Sequence, residues 1–471
     1  MSQKNETTVL VISLLLTVGI LGGIAWWFFG QPAGVKVNVF TPPSAPANQQ
    51  QIKERISFGD KSLITGEITP EKKAGIEALA KGNYQQAIAN LEASLKRNRN
   101  DPEALIYLNN ARSGYNQTYT VATSLPLSTD PGVGLEILRG IAQAQNEINQ
   151  SGGIKGIPLK VAIANDEDNP KISQQIASNF VNNPEILGVI GPNTSDATLA
   201  AGAIYNSGEL VAISPTSTSV KISNFSRYVF RTVPSDFIAA RTLANYMTRS
   251  LQKKNAVVFF NSQSNYSQSL KSEFVSSVSL EGGQVSSEFD LSKADFSAAK
   301  SLEQANKQGA EVLMLAANNE TLDKALQVVQ LNQKKLTLLA GDDVYTVKTL
   351  EVGREQAIGM ILAVPWHIDG NPKASFPQKS RQLWGADVNW RTAMAYDATV
   401  ALIAALNLNP TRTGVQQALS SPDFSAPGAA GVVRFSSLGD RNATVQLVRI
   451  ATGGRSRTGF DFEPIHSSVL K

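Results

Sequence analysis

Short apolar runs alternate with amphipathic segments from about residue 118 to the end of the chain. The apolar runs predict strands, and apolar residues spaced three and four apart predict helices. This alternation is typical of an α/β protein with parallel sheets. The series restarts near Arg231 and Pro234, which predicts two lobes around a cleft. The predicted strands are 119–125, 159–164, 187–190, 211–213, 256–260, 311–316 and 336–340, and the predicted helices are 135–149, 172–181, 197–205, 267–280 and 321–331.

Residues 187–219 carry the most informative polar pattern. Gly191 and Pro192 end a predicted strand, and residues 193–196 (Asn-Thr-Ser-Asp) offer several N-caps to the helix that follows. A second turn, at 214–218, is rich in hydroxyl groups and follows the next strand. A helix N-terminus presents free N–H groups, so it favours a small anion such as a carboxylate. Because both turns follow parallel strands, we expect them on one rim of the sheet, where open α/β folds bind ligands.

The N-terminal region predicts a membrane anchor. Residues 9–29 contain no charged side chain and end in Trp26-Trp27-Phe28-Phe29, so they are long and apolar enough to span a bilayer as a helix. A cleaved signal peptide is the alternative, but this run exceeds the usual h-region of about 7–15 residues. We expect the amino terminus inside the cell, a single span in the plasma (inner) membrane, and the bulk of the chain outside the cytoplasm.

Two further segments precede the main domain. Residues 31–66 are rich in Pro, Ala, Asn and Gln near their start and predict a linker. Residues 67–116 predict a helical hairpin whose spacing resembles a tetratricopeptide repeat, although little more than one repeat is visible. This segment is interpreted either as a spacer or as a partner-binding module. The ligand-binding domain is then 117–471, with one lobe at about 117–233 and 365–430 and the other at about 234–364 and 431–465.

Composition excludes several kinds of chemistry. The formal net charge is only +4, and no basic block is interleaved with aromatic residues, so nucleic-acid binding has no support. The chain has no cysteine and two histidines, His367 and His466, which leaves few groups for metal sites or catalytic triads. Gly132-Val133-Gly134 lacks the third glycine of a dinucleotide fingerprint. We therefore expect no enzyme activity, no metal and no cofactor.

Several ordered motifs between about residues 119 and 450 resemble type I periplasmic binding proteins, the branched-chain (Leu/Ile/Val) amino acid receptors of ABC importers. The resemblance implies a two-lobed α/β fold in which each lobe is a parallel sheet flanked by helices, here preceded by a short helical hairpin and one transmembrane helix. The motifs are GIAQA at 140–144, INQSGGI at 148–154, NDEDNP at 165–170, VIG at 189–191, ISP at 213–215, FRT at 230–232, AYDA at 395–398 and GVVRF at 431–435.

The resemblance also implies roles for individual residues. Ser195 and Thr218 would hold the α-carboxylate of an amino acid, and Thr216 would offer its main chain to the ammonium. Tyr266 would close over the ligand from the second lobe, and Asp343 would pair with the ammonium, with Asp342 as the alternative. Ligand-binding candidates are thus Ser195, Thr216, Ser217, Thr218, Tyr266 and Asp343.

The chain departs from this family at three positions near the expected site. Thr216 replaces a small apolar residue, Ser267 follows Tyr266 where glycine is common, and Val133 lies near the position of an aromatic residue. These departures concern the pocket for the ligand's side chain. Amino acid binding is therefore predicted without a particular side chain, with branched-chain amino acids among the candidates.

The sequence thus predicts a membrane-tethered, extracytoplasmic solute-binding protein that captures an amino acid or similar zwitterion by hinge closure. Its expected partners are that small ligand, the permease subunits of an ABC importer and the membrane. One alternative is an envelope scaffold that uses the repeat-like segment and an empty binding fold, as in the outer-membrane activators of peptidoglycan synthases. Another is a ligand sensor that signals to a membrane partner.

Overall fold

A computed structural model describes residues 45–465. The chain divides into two compact units, and the boundary between them lies after Gln51. Of the first unit, residues 45–51 are described, and they begin a helix, α1 (Ala45–Glu54). The second unit starts at Ile52 and contains both lobes. The predicted anchor at 9–29 lies outside the described residues, and between 45 and 465 no helix has the length and apolarity to cross a bilayer.

The first lobe is built on a six-stranded sheet with the strand order β1-β3-β2-β4-β5-β6. Every neighbouring pair is parallel except β1 and β3. Its strands are β1 (Ile56–Ser57), β2 (Tyr119–Leu125), β3 (Leu159–Asn165), β4 (Ile186–Ile190), β5 (Ala212–Ser214) and β6 (Val229–Arg231), and the helices between them are α5 (Pro131–Gln150), α6 (Pro170–Asn182) and α7 (Ser195–Ser207).

The second lobe is built on a seven-stranded sheet with the strand order β15-β14-β11-β10-β9-β7-β8. The five strands from β11 to β8 run parallel, and the last two of the chain add antiparallel at one edge. The strands are β7 (Asn255–Phe260), β8 (Gln284–Asp290), β9 (Val312–Ala316), β10 (Thr337–Ala340), β11 (Ile361–Val364), β14 (Gln446–Thr452) and β15 (Phe460–Pro464), and the helices are α8 (Asp236–Asn245), α9 (Asn265–Leu280), α10 (Ala298–Lys307), α11 (Leu322–Asn332) and α12 (Val347–Ala357).

After β11 the chain returns to the first lobe through α13 (Ser375–Trp384), α14 (Trp390–Leu408) and α15 (Arg412–Leu419), followed by a hairpin of β12 (Ala426–Gly428) and β13 (Gly431–Val433). Helix α14 packs along α5, and Gly140 allows the close approach. A Cβ at Gly140 would lie 2.2 Å from the carbonyl oxygen of Thr392. Gly140 of the GIAQA motif therefore serves packing of the two helices.

Each strand and helix predicted between residues 119 and 340 is present in the predicted order, but β6, β8, α8, α10 and the elements after β10 were not predicted. Strand β2 has the predicted bounds, and helix α5 begins four residues before its predicted start. The earlier start has a local cause, because Pro131 occupies the first turn and Asp130 Oδ1 accepts a hydrogen bond from the N–H of Val133 at 3.2 Å. The two-lobed α/β fold inferred from the motifs is also the observed one.

The prediction of a linker at 31–66 is incorrect for residues 45–57, which form a helix and a strand. Ile56 and Ser57 form β1, which pairs antiparallel with β3 in the register Ile56↔Ala164. Ile52 and Ile56 are buried in the apolar cluster beneath the first sheet. These sparse apolar residues, set in a polar composition, attach the segment to the first lobe.

The segment predicted as a hairpin at 67–116 forms three helices, α2 (Pro70–Ala80), α3 (Tyr84–Arg97) and α4 (Pro102–Ser113). Helix α4 is buried along nearly its whole length. Its Asn110 side chain accepts from the N–H of Val161 at 3.0 Å and donates to the carbonyl of Val161 at 2.8 Å. The third helix is therefore part of the first lobe's core, and the segment is not a separate two-helix spacer.

Candidate functional site

The first wall of the cleft is the loop between β4 and α7. Thr194 caps helix α7, since its Oγ1 accepts from the N–H of Ala197 at 3.3 Å. Ser195 is the first helical residue and is buried. Its Oγ accepts from the N–H of Ser219 at 3.3 Å, which leaves its hydroxyl hydrogen free to be donated. The free N–H groups of this first turn make the wall suitable for an anion.

The hydroxyl-rich turn after β5 holds that first loop in place. Ser214 Oγ donates to the carbonyl of Pro192 at 2.8 Å. Thr216 Oγ1 and Ser217 Oγ donate to the carbonyl of Asn193 at 2.7 Å and 2.9 Å. The hydroxyls of the second turn are thus used mainly to fix the shape of the first.

The six candidate residues divide by position. Ser195, Thr216, Tyr266 and Asp343 line the same cavity. Ser217 and Thr218 are buried and are not among the lining residues. The structure therefore brings four of the six candidates together and places Ser217 and Thr218 outside the cavity lining.

Arg231 of the FRT motif stabilises the same turn from below. Its Nη1 donates to the carbonyls of Ser219 at 2.8 Å and Ser217 at 3.3 Å, and its Nε pairs with Asp440 Oδ1 at 2.7 Å. The guanidinium is fully buried. A buried cation with these partners orders the backbone from which the hydroxyls project.

The second wall comes from the other lobe and centres on Tyr266. Its hydroxyl donates to Asp342 Oδ1 at 2.8 Å and accepts from the N–H of Asp343 at 3.3 Å. A Cβ at position 341 would lie 2.3 Å from the Tyr266 hydroxyl oxygen, so Gly341 is required for this contact. Asp342 is thereby engaged behind the wall, whereas Asp343 lines the cavity. Of the two carboxylates, Asp343 is therefore the one that a molecule in the cavity would meet.

Arg391, which the sequence did not indicate, lies beside Asp343. Its Nη2 is 3.3 Å from Asp343 Oδ1, and its Nη1 donates to the carbonyl of Tyr345 at 3.2 Å. The guanidinium also lies over the ring of Trp390, 4.3 Å from its centroid. Because Arg391 is in α14 and Asp343 follows β10, this ion pair connects the crossover helix to the second lobe.

Further hydrogen bonds connect the two walls, including one to Asp130 and a pair to Asp196. Asn319 Nδ2 donates to Asp130 Oδ2 at 2.9 Å. Asn265 donates to Asp196 twice, from its backbone N–H at 3.1 Å and from its side chain at 2.5 Å. These contacts connect β2–α5 and β4–α7 loops of the first lobe to loops of the second, so the lobes are closed on each other.

A cavity of about 450 Å³ lies between the walls. This volume is in the range of small-molecule sites. Most of the residues that line it are polar or charged. It consists of Thr129, Asp130, Val133, Glu167, Asp168, Pro170, Asn193, Thr194, Ser195, Asp196, Thr216, Gln263, Ser264, Tyr266, Asn318, Asn319, Glu320, Asp343, Thr346 and Arg391.

Burial raises the pKa of several carboxyl groups at the site. The pKa of Asp343 is raised by burial and lowered in part by the Arg391 guanidinium. Burial and the neighbouring Asp343 raise the pKa of Asp342 to about 8. Burial and Asp166 raise the pKa of Asp168 well above its usual range. A cationic group placed among these carboxylates would favour their ionised forms.

Asp130, Asn319, Glu320 and Arg391 line the cavity although sequence reasoning missed them. The sequence offered one indication of Asp130, which precedes Pro131 at the start of a predicted helix. It offered no indication of Arg391, because this residue is 48 positions from its partner Asp343. Across residues 45–465, no group of three or more His, Cys, Asp or Glu is arranged to hold a metal ion.

Comparison with known proteins agrees with this architecture. Residues 118–455 match the family model of periplasmic binding proteins. An amino acid binding protein of Pseudomonas aeruginosa is 29% identical over 126 residues, which are 26% of this chain and 34% of that protein. The leucine-specific-binding protein of Salmonella typhimurium is 25% identical over 237 residues, 50% of this chain and 63% of that protein. The chain thus spans about a third of the first relative and less than two thirds of the second.

A solved structure has the same fold over its entire length. The ABC transporter substrate-binding protein from Desulfitobacterium hafniense, in complex with Leu, aligns with a TM-score of 0.62 and 23% sequence identity. The alignment covers 74% of this chain and 100% of that one. At this identity the likeness is one of fold.

Proposed function

The chain belongs to the periplasmic binding protein family, and on that premise we propose that it is the amino acid-binding subunit of an ABC importer. The fold and family are those of solute-binding proteins, and the family implies an extracytoplasmic location. The observation that carries the proposal is the cavity itself. Ser195 and Thr216 line it from one lobe, and Tyr266 and Asp343 line it from the other.

The chemistry of the two walls supports a zwitterion. The first turn of α7 supplies N–H groups and the Ser195 hydroxyl for a carboxylate, and Asp343 supplies a carboxylate for an ammonium. Charge-assisted hydrogen bonds of these two kinds are the strong ones, so a ligand that makes both stabilises the contact between lobes. We infer that Thr216 lines the site and that Ser217 acts indirectly, by holding the carbonyl of Asn193 in the first loop.

Transport is the second part of the proposal. It is supported by the family and by the printed description of the Desulfitobacterium hafniense protein as an ABC transporter substrate-binding protein in complex with Leu. We propose permease subunits as partners and residues 9–29 as a retained anchor in the plasma membrane. Membrane fractions washed with alkaline carbonate test the anchor, since a cleaved signal peptide would leave a shortened, extractable protein.

The deciding experiment is a calorimetric titration of the full-length protein with a panel of amino acids. We expect at least one amino acid to bind and to raise the melting temperature. Ser195→Ala should weaken that binding, whereas Ser272→Ala on the exposed face of α9 should leave it unchanged. If no amino acid of the panel gives binding heat or a shift in melting temperature, amino acid binding is refuted. The envelope scaffold or the ligand sensor would then be the favoured function.

A further inference from the structure

The charges that line the cavity are strongly unbalanced. Six lining residues are acidic and one, Arg391, is basic. The acidic residues are Asp130, Glu167, Asp168, Asp196, Glu320 and Asp343. A closed cavity with this lining attracts positive charge beyond one ammonium group.

Two of these carboxylates are neutralised by the protein. Asp343 pairs with Arg391, and Glu167 Oε1 lies 2.7 Å from Arg55 Nη1. Of the remaining four, none has a cationic partner within 4.0 Å among the residues that the structure describes. Their hydrogen-bond donors are neutral amide or backbone groups, from Asn319 to Asp130, Asn193 to Asp168, Asn265 to Asp196 and Asn261 to Glu320.

Asp168 has an unused oxygen at this site. Its Oδ2 accepts from Asn193 Nδ2 at 2.9 Å, whereas its Oδ1 is buried without a hydrogen-bond partner. The Asp130 carboxylate lies close enough to raise the pKa of both Asp168 and Asp343. A buried acceptor without a donor is costly, and an added cationic donor would satisfy it.

Few of the residues that line the same cavity have apolar side chains. Val133 and Pro170 are the aliphatic lining residues, and Tyr266 adds a ring whose hydroxyl is engaged by Asp342. A branched apolar side chain placed here would remove carboxylates from water without pairing them, which is unfavourable. A side chain with a methylene stem and a positively charged end would instead give these carboxylates a cationic partner.

We propose that the ligand is a basic amino acid, whose α-carboxylate lies at the first turn of α7, whose α-ammonium lies at Asp343, and whose side-chain cation lies between Asp130 and Asp168. This inference rests on the proposed function, because it concerns the same cavity. It adds the charge of the ligand's side chain.

Lysine and two analogues, each of which lacks one of its charged groups, test the proposal. Lysine carries all three charges, norleucine lacks only the side-chain ammonium, and cadaverine lacks only the carboxylate. In titrations of the full-length protein we expect lysine or arginine to bind at least about tenfold more tightly than norleucine or leucine, because one charge-assisted contact is worth that much. Cadaverine should bind more weakly than lysine, because it cannot use the N-terminus of α7.

The outcomes separate the two proposals. If norleucine or leucine binds as tightly as lysine, the basic side chain is refuted and amino acid binding stands. If cadaverine binds as tightly as lysine, the ligand is a diamine and the carboxylate contact is refuted. If none of the amino acids binds, the proposed function fails and this inference fails with it.

Variants locate the side-chain contact. Asp168→Asn should reduce the preference for lysine over norleucine about tenfold while leaving norleucine affinity nearly unchanged. Asp130→Asn tests the other carboxylate of the proposed contact and should also reduce this preference, and it addresses the case in which Asp168→Asn does not fold. Asp423→Asn, an exposed carboxylate of the same charge type outside the cavity, is the matched control. An unchanged preference in a folded Asp168→Asn or Asp130→Asn protein would refute the assigned side-chain contact.

Discussion

Asp343 Oδ1 lies 3.3 Å from Arg391 Nη2 across the junction between the second lobe and the crossover helix. Arg391 is nearly buried, with 5% of its side chain exposed, whereas Asp343 is 33% exposed on the cavity side. The carboxylate expected to hold a ligand's ammonium is thus oriented by an internal cation before any ligand binds. The ion pair holds the carboxylate in one position, and the Arg391 guanidinium also neutralises part of its negative charge.

Asp343→Asn should lower amino acid affinity by about 10-fold to 100-fold, because it removes a charge-assisted contact to the ammonium. Asp342→Asn should lower it much less, since Asp342 is engaged by the Tyr266 hydroxyl behind the wall. Calorimetric titration of both variants with the same ligand makes the comparison. Equal losses in the two would contradict the assignment of the ammonium to Asp343.

Stability should fall as the pH rises from about 4 to about 8. The folded-state pKa values of Asp342 and Asp236 are raised to about 8 and about 7, above the ordinary carboxyl value of 3.8. Between the ordinary and the raised values the native state binds more protons than the unfolded state, so the free energy of unfolding decreases with pH. Urea unfolding at a series of pH values measures this slope.

Asp342→Asn should remove the part of that slope that lies between about pH 7 and pH 8, where Asp236 has already ionised. Asp423→Asn, an exposed position, should leave the wild-type profile unchanged. If the Asp342→Asn and wild-type profiles run parallel over this window, the raised pKa is not a property of Asp342.

Asn110→Ala should destabilise the protein by about 2–3 kcal/mol. It removes four hydrogen bonds, and two of them are to the backbone N–H and carbonyl of Val161, which stay buried without these partners. Asn116→Ala, at an exposed position a few residues later, is the control. Urea unfolding followed by circular dichroism gives both values, and a loss below 0.5 kcal/mol, roughly the range of surface substitutions, would argue against α4 as part of the core.

A fragment that begins at Thr118 should be less stable than the full chain for the same reason. It lacks α4, whose Leu105, Ile106 and Leu108 share an apolar cluster with residues of α5 and β3. Uncovering this surface removes burial that contributes about 25 cal/mol per Å². A melting temperature equal to that of the full chain would show that the helical segment is a dispensable addition.

Asn265→Ala should favour separation of the lobes. Its side chain donates to Asp196 of the first lobe and accepts from Lys221, so the substitution removes two of the contacts that bridge the cleft. Small-angle X-ray scattering of the ligand-free variant should give a larger radius of gyration, and ligand affinity should fall by about tenfold or less. Ser272→Ala on the exposed face of the same helix is the control, and identical scattering from both variants would count against a bridging role.

The alternation of apolar runs and amphipathic segments was sufficient to predict the main domain, because buried strands and helices in an α/β fold need continuous apolar sequence. It missed β6, β8 and the strands that follow β10. At β8, exposed and half-buried residues alternate little in polarity. It lies at an edge of its sheet, where one side faces solvent and the apolar signal is weak. The same reason explains β1, two residues long and set in a polar segment.

The sequence by itself determined local features of the site: the cap and first turn of α7, the hydroxyl-rich turn after β5, and Tyr266 and Asp343 as candidates from the second lobe. Only the tertiary structure decided which hydroxyls reach the cavity, that Asp343 and not Asp342 lines it, and that Arg391 stands beside Asp343. The physical reason is the separation along the chain of the residues that interact. Caps and turns arise from hydrogen bonds between residues a few positions apart, whereas the charge of the cavity is a sum over loops that are distant in the chain and meet only when the lobes close.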